Sequence, residues 1–220
     1  AYNSIVAGGA NATVLHYDTN REKLCSGDLV LVDAGCEVEC MASDITRTYP
    51  VDGQFSGPQR DLYNLVLEAQ QEALDLVKPG ATLEILHARV IEVLSQGLID
   101  LGFFDSTLQD VIHGGEFRRY YMHRTSHWLG LDVHDVGRYA VGPDPRPFEP
   151  NMVFTVEPGL YVAANDEQAP EAYRGIGIRI EDDILVTSDG HENLTGGCPK
   201  TCDDIEATMK EAGLDIPVLS

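Results

Sequence analysis

Three acidic residues lie where the sequence otherwise predicts buried strands. Asp33, Glu157 and Glu181 each follow directly on a largely apolar run of four or five residues. Burying a carboxylate costs free energy unless it is paired with a cation or binds a metal. One such residue is explained by a cap or a salt bridge at the end of a strand. Three of them indicate side chains that converge on a shared cation.

Two further residues supply ligands for the same cation. Asp44 lies eleven positions after Asp33, on the neighbouring strand of a predicted hairpin, and His127 lies in the segment Ser-His-Trp-Leu-Gly. Four carboxylates and one imidazole suit Mn²⁺, Fe²⁺ or Co²⁺ better than a structural zinc. Five such ligands also suit two metals about 3.5–4 Å apart, an arrangement that activates a water for hydrolysis.

The elements that position these residues follow from the hydrophobic pattern. Strands are predicted at 29–35, 44–51, 128–133, 152–156 and 176–186. Helices are predicted from Gly57-Pro58 to Pro79-Gly80, from about Thr82 to Leu101 and from about Cys202 to Ala212. Proline suits the first turn of a helix, and glycine commonly follows its end. This order of elements predicts a mixed α/β or an α+β domain whose central sheet has helices on one side, and the resemblance described below favours α+β.

The charge of the chain excludes some classes of function. Acidic residues outnumber basic ones by 36 to 15, which gives a net charge of −21. Such a chain is repelled by phosphate backbones and anionic lipids, so we predict no nucleic-acid and no membrane partner. The five cysteines are too few for a disulfide scaffold and favour a reducing compartment. We therefore predict a cytoplasmic protein, with the mitochondrion as the alternative for a eukaryotic source.

Five segments of the chain resemble Xaa-Pro aminopeptidases in the order that this family shows. The segments are residues 32–35, 43–48, 126–137, 155–161 and 177–183. The family shares the pita-bread fold, a curved antiparallel sheet covered by helices, with methionine aminopeptidase, prolidase and creatinase. The resemblance implies that residues 1–220 are a catalytic metallopeptidase domain that is incomplete at its N-terminus. On this resemblance we expect the fold's N-terminal helices and the family's separate N-terminal domain to be absent from residues 1–220.

The resemblance also assigns the metal ligands. Asp33 would hold one metal, His127 and Glu157 the other, and Asp44 and Glu181 would bridge both. The implied cofactors are two divalent metal ions, with Mn²⁺ favoured and Co²⁺, Fe²⁺ or Zn²⁺ as alternatives. A hydroxide bridging the two metals would attack the carbonyl of the peptide bond before proline.

Three residues receive catalytic roles from the same resemblance. Glu157 would pass a proton to the leaving proline nitrogen, and His134 would donate a hydrogen bond to the tetrahedral intermediate. The segment Val-His-Asp-Val is typical of a strand that places His134 beside His127. Arg179 matches a position close to the metal ligands or the substrate, and its alternative role is to neutralise nearby carboxylates.

The resemblance places further residues in the substrate pocket. His16 and His123 match histidines that line the pocket, with a purely structural role as an equal alternative. His134 would also contact the substrate. Tyr161 matches a position near the substrate, although a buried tyrosine often serves only to anchor a hydrogen bond. His87, His113 and His191 are predicted to lie on helix surfaces or in loops.

The substrate expected from this resemblance is a peptide with a free N-terminus and proline in second position. The metal ligands argue against creatinase, and arginine two residues before Glu181 argues against methionine aminopeptidase. Prolidase, which cleaves Xaa-Pro dipeptides, is the close rival. The segment Ser-His-Trp-Leu-Gly favours an aminopeptidase P of the bacterial and mitochondrial type. One alternative function of another class stays open, namely a metal-binding but catalytically silent interaction module. Assembly of the chain into a homo-oligomer is a further expectation.

Overall fold

The chain folds as strands, then helices, then strands again. The computed structural model describes residues 1–211. The strands are β1 (Ile5–Gly8), β2 (Leu29–Ala34), β3 (Glu37–Val38), β4 (Met41–Ala42), β5 (Ile45–Pro50), β6 (Ala140–Val141), β7 (Asp144–Pro145), β8 (Val153–Val156), β9 (Gly159–Tyr161), β10 (Gly177–Arg179), β11 (Asp182–Val186) and β12 (His191–Asn193). The α-helices are α1 (Gly57–Leu74), α2 (Leu83–Asp100), α3 (Leu108–Gly114) and α4 (Cys202–Lys210).

Antiparallel pairing joins most of the strands into two groups, and β3–β4 and β6–β7 form separate two-stranded hairpins. Strands β1, β2 and β5 form one sheet, and Asp33 of β2 lies between Ile5 of β1 and Thr46 of β5. Strands β12, β11 and β8 form a second sheet, and β9 pairs with β10. An antiparallel bridge between Thr46 and Glu181 joins the two groups. The bridge therefore brings together two residues that lie 135 positions apart in the sequence.

The predicted strand 176–186 is interrupted at Glu181. Strand β10 pairs with β9, whereas β11 pairs with β8, so the chain changes its neighbour between them. At this point the Glu181 backbone N–H donates to the Thr46 carbonyl at 3.0 Å. The interruption therefore turns a metal-ligand candidate toward β5.

Helix α1 packs on the strands and α2 packs on α1, and both helices contribute to the main core. Leu62 and Val66 of α1 and Leu94 of α2 are buried in the same cluster as Phe154 and Ile178 of the strands. Helix α1 begins with a capping box in which the Ser56 side chain accepts from the Gln59 N–H and Gln59 reaches back to Ser56. The Thr82 side chain caps α2 by accepting from the Ile85 N–H. These reciprocal bonds satisfy N–H groups that a helix leaves free at its start.

Helix α1 ends earlier than predicted, and the predicted end of α4 lies outside the described residues. Helix α1 ends at Leu74, five residues before Pro79, because tight turns close at Leu76 and Val77. Proline disfavours helical geometry in the residue before it, so Pro79 sets an outer limit for the helix but does not cause its earlier end. Helix α2 confirms the predicted range within one residue. The predicted end of α4 at Ala212 lies outside the described residues.

The predicted strand 128–133 is wrong. Trp128 forms only an isolated bridge with Phe154, and residues 129–139 form a loop without regular structure. The Asp135 carboxylate accepts from the Leu131 N–H at 3.1 Å, which offers the backbone a local alternative to strand pairing. Trp128 itself is buried. Among the described residues, no helix is both long and apolar enough to cross a membrane.

Candidate metal centre and active site

One cavity of about 240 Å³ collects most of the predicted site residues. Its lining includes all five predicted metal ligands and four of the other predicted residues. These nine are His16, Asp33, Asp44, His123, His127, His134, Glu157, Arg179 and Glu181. Tyr161 lies behind the wall of the cavity, with its hydroxyl bonded to two of the lining residues.

The strands explain why the carboxylates meet. Asp33 lies on β2, directly opposite Thr46 on the neighbouring strand β5, and Asp44 immediately precedes β5. Thr46 is also the residue that bridges to Glu181. Glu157 follows β8, and its backbone N–H donates to the Thr125 carbonyl at 2.7 Å. Four carboxylates from distant parts of the sequence thus reach one end of the sheet.

The imidazole of His127 lies at the centre of the carboxylates. Its Nε2 is 3.4 Å from Glu157 Oε1, 3.5 Å from Asp44 Oδ2 and 4.0 Å from Glu181 Oε1. Its Nδ1 lies 3.1 Å from the Trp128 carbonyl oxygen, so the ring donates there. That bond leaves Nε2 directed at the carboxylates, as in histidines that bind metal. Asp44, His127 and Glu181 offer ligand atoms that all lie within 4.8 Å of one another.

The carboxylates are buried with too little positive charge to balance them. Burial raises the pKa of Glu157 to about 7. Burial and neighbouring carboxylates raise the pKa of Glu181 well above its usual value. Burial also raises the pKa of Asp33, although Arg179, whose Nη2 is 2.5 Å from Asp33 Oδ2, opposes the rise. A divalent cation supplies the missing positive charge, so this donor set fits a metal centre.

Three further residues contact the candidate metal ligands, and no role was predicted for them. The Thr46 hydroxyl donates to Glu181 Oε2 at 2.6 Å, and Arg47 Nη1 donates to the Glu181 carbonyl at 2.6 Å. The Tyr2 hydroxyl contacts carboxylate oxygens of both Asp33 and Asp44. Thr46 and Arg47 lie in the segment 43–48, which was a usable signal. Nothing in the sequence around Tyr2 indicates its contacts.

A chain of hydrogen bonds links His123, Tyr161 and Arg179. His123 Nδ1 donates to the Arg124 carbonyl at 2.7 Å, and its Nε2 accepts from the Tyr161 hydroxyl at 2.8 Å. Arg179 Nη1 donates to the same hydroxyl at 3.1 Å. Burial lowers the pKa of His123 to about 4, so the ring is neutral at pH 7. The direct contact of Tyr161 with substrate stays a prediction.

His134 reaches the site from a loop rather than from the predicted strand. Its ring lies 4.4 Å from the His127 ring, centroid to centroid, in an edge-to-face arrangement. Burial and the neighbouring His127 lower its pKa. The Asp135 side chain packs closely against Gly130, where a Cβ would lie only 2.6 Å from Asp135 Oδ2. The expected proximity to His127 is therefore correct, although the expected strand is wrong.

An antiparallel sheet that brings carboxylates and an imidazole together for a divalent cation is the framework of a metal-dependent hydrolase. The model of metallopeptidase family M24 matches residues 1–188, and the chain belongs to this family. The predicted pita-bread fold and the predicted class of metallopeptidase are confirmed. Membership in this family implies divalent metal ions.

Several relatives are similar to this chain over nearly its whole length. The Xaa-Pro aminopeptidase of Haemophilus influenzae is 51% identical over 209 residues, which are 95% of this chain and 48% of the relative. The structure of Pseudomonas aeruginosa aminopeptidase PepP has a TM-score of 0.94 at 48% identity, covering 96% of this chain and 48% of that one. A substrate complex of an Escherichia coli aminopeptidase P variant has a TM-score of 0.92, also at 48% identity, covering 96% of this chain and 47% of that one. The chain spans about half the length of the relatives it matches.

Proposed function

We propose that this chain forms the catalytic domain of an enzyme that removes the first residue from peptides with proline in second position. The observation that carries the proposal is the position of His127 Nε2, within 4.0 Å of carboxylate oxygens of Asp44, Glu157 and Glu181. The relatives named Xaa-Pro aminopeptidase support the choice of substrate.

The proposed cofactor is a pair of divalent metal ions, with Mn²⁺ favoured for an oxygen-rich set of ligands. Asp33, Asp44, His127, Glu157 and Glu181 would hold them. When bound, these ions polarise the scissile carbonyl and make water a nucleophile at neutral pH. The Nδ1 bond of His127 to the Trp128 carbonyl keeps the ring oriented for this task.

Glu157 is the proposed proton carrier, and His134 is the proposed hydrogen-bond donor to the reacting carbonyl. Burial raises the pKa of Glu157 to about 7 in the metal-free chain. In the proposed reaction its carboxylate takes a proton from the attacking water and gives it to the proline nitrogen. His134 lines the same cavity from its loop. Its ring N–H would donate to the oxygen of the tetrahedral intermediate.

Arg179, His123 and Tyr161 form the proposed wall of the substrate pocket. Arg179 neutralises Asp33 and fixes the Tyr161 hydroxyl, which in turn fixes the neutral ring of His123. His16 lines both the main cavity and an adjoining cleft of about 310 Å³, so it can contact the substrate from the opposite side. A cytoplasmic location and assembly into a homo-oligomer stay predictions.

The test is release of alanine from Ala-Pro-Ala by the metal-stripped chain after addition of Mn²⁺. We expect turnover that requires the metal and disappears in Asp44→Asn. The matched control is Asp189→Asn, which removes an exposed carboxylate and should retain wild-type turnover. Cleavage of Ala-Pro alone would instead assign the chain as a prolidase. Bound Mn²⁺ on a folded chain without cleavage of either peptide would assign a catalytically silent module and refute the proposal.

A further inference from the structure

The cavity is lined by two arginines, and they differ in what they contact. Arg179 is buried and fully engaged, since its guanidinium donates to Asp33, Tyr161 and Thr46. Arg124 lines the same cavity with a side chain that is 68% exposed. Arg124 is therefore the cation of the cavity wall that a ligand can reach.

The contact of Arg124 with Glu84 is weak. Arg124 Nη1 lies 3.7 Å from Glu84 Oε1, which is longer than a hydrogen bond, and both side chains are substantially exposed. Surface ion pairs of this kind contribute little to stability. Within residues 1–211, this is the one ion pair that the Arg124 side chain forms. A ligand carboxylate can displace Glu84 at small cost.

The backbone of Arg124 is held firmly although its side chain is exposed. Its carbonyl accepts the Nδ1 hydrogen of His123, whose ring is buried in the same wall. The residue that follows, Thr125, accepts the Glu157 backbone N–H through its carbonyl. The base of the Arg124 side chain is thus fixed between a pocket residue and a candidate metal ligand.

The direction of a bound peptide follows from the charge of the cavity. An aminopeptidase must place the substrate amine at the buried carboxylates, so the rest of the peptide leaves through the open side of the cavity. Of the cationic side chains that line the cavity, that of Arg124 is the exposed one. A carboxylate carried by the departing part of the peptide meets a guanidinium that can bind it with two parallel hydrogen bonds. The net charge of −21 otherwise repels such a group.

We propose that Arg124 makes this site selective for peptides with a carboxylate shortly after the proline. The carboxylate is either the C-terminus of a tripeptide or the side chain of an acidic third residue. The inference rests on the proposed Xaa-Pro aminopeptidase function and adds a preference that the metal ligands alone do not create.

Three peptides distinguish the two sources of the carboxylate. Ala-Pro-Ala carries a C-terminal carboxylate, Ala-Pro-Ala-amide carries none, and Ala-Pro-Asp-amide carries one on the third side chain. For the Mn²⁺-loaded chain we expect kcat/KM for at least one of the acidic peptides to exceed that of the neutral amide about three- to fivefold, the upper part of the range for one exposed ion pair. The difference should appear in KM and shrink at high salt.

The variants separate the inference from the function on which it rests. Arg124→Gln should bring the ratio of acidic to neutral peptide close to one, and Arg124→Lys should restore part of it. Arg118→Gln removes an exposed arginine outside the cavity and should keep the wild-type ratio. Equal ratios in the wild type and Arg124→Gln, with turnover intact, overturn the inference alone. Lack of turnover of all three peptides by the wild type refutes the proposed function, and the inference with it.

Discussion

The metal-free chain should lose stability as the pH rises from 5 to 8. Burial raises the pKa of Glu157 from 4.5 to about 7 in the folded protein. A carboxyl whose pKa is raised by folding binds its proton more tightly in the folded state than in the unfolded state. Stability is therefore highest below the unfolded pKa and falls as the pH rises through the folded pKa.

The rise in the pKa of Glu157 sets the size of this loss of stability. Each pKa unit corresponds to about 1.4 kcal/mol, so folding is opposed by about 3 kcal/mol once Glu157 is ionised in both states. Between pH 5 and pH 8 the part of this penalty that develops is about 2–3 kcal/mol. His127 adds a loss of the same sign, because burial lowers its pKa but Asp44 and Glu157 together raise it above its usual value.

Urea unfolding in the presence of EDTA measures the effect, with Glu157→Gln as the comparison. The glutamine is neutral at every pH, so its variant should lose about 2–3 kcal/mol less stability between pH 5 and pH 8 than the wild type. Adding Mn²⁺ at pH 8 should restore stability to the wild type. The reasoning is refuted if the wild type and Glu157→Gln have the same pH dependence without metal.

Two further predictions concern the surroundings of the site, and a third concerns the packing of helix α2. Tyr2→Phe removes a hydroxyl that contacts two candidate ligands and should weaken Mn²⁺ binding about 10- to 100-fold in calorimetry; unchanged affinity would contradict the role assigned to Tyr2. Asp182→Asn leaves buried Arg47 without its carboxylate partner and should lower the free energy of unfolding by about 3–5 kcal/mol. An effect below 1 kcal/mol would show that this buried pair is not needed. Leu98→Ala opens a cavity at a fully buried position of α2 and should cost about 2–5 kcal/mol in urea unfolding, while a neutral effect would contradict the packing.

Three of the candidate metal ligands were predictable from the sequence because Asp33, Glu157 and Glu181 each follow a largely apolar run. The energetic conflict of a charge in a buried strand is visible without a structure, and pairing of adjacent strands explains how Asp33 and Asp44 meet. Helix α2 was predictable for a similar reason, since a capping threonine and a terminal glycine limit its apolar face.

The loop that carries His134 was not predictable from local pattern. Its alternating residues resemble a strand, but the Asp135 carboxylate binds backbone N–H groups of the same segment. The contacts of Tyr2 were not predictable for a different reason. Its hydroxyl contacts Asp33 and Asp44, 31 and 42 residues away, and such contacts arise only when distant segments are folded together.

The helix ends show how local signals compete. Pro79 and Gly80 set an outer limit for α1, yet the chain turned away at Leu74. The proline signal is correct about where a helix cannot continue, but it does not determine where the last helical hydrogen bond forms.

The central claim is that Asp33, Asp44, His127, Glu157 and Glu181 form one metal centre. Equilibrium dialysis of the metal-stripped chain against Mn²⁺, followed by metal analysis, tests it most directly. We predict about two bound ions per chain, as two-metal hydrolases require, and a loss of binding in Glu181→Gln with the fold retained. Glu192→Gln, which changes an exposed glutamate on β12, should bind as the wild type does. Equal Mn²⁺ binding by the wild type and Glu181→Gln, or none by the folded wild type, would contradict the claim.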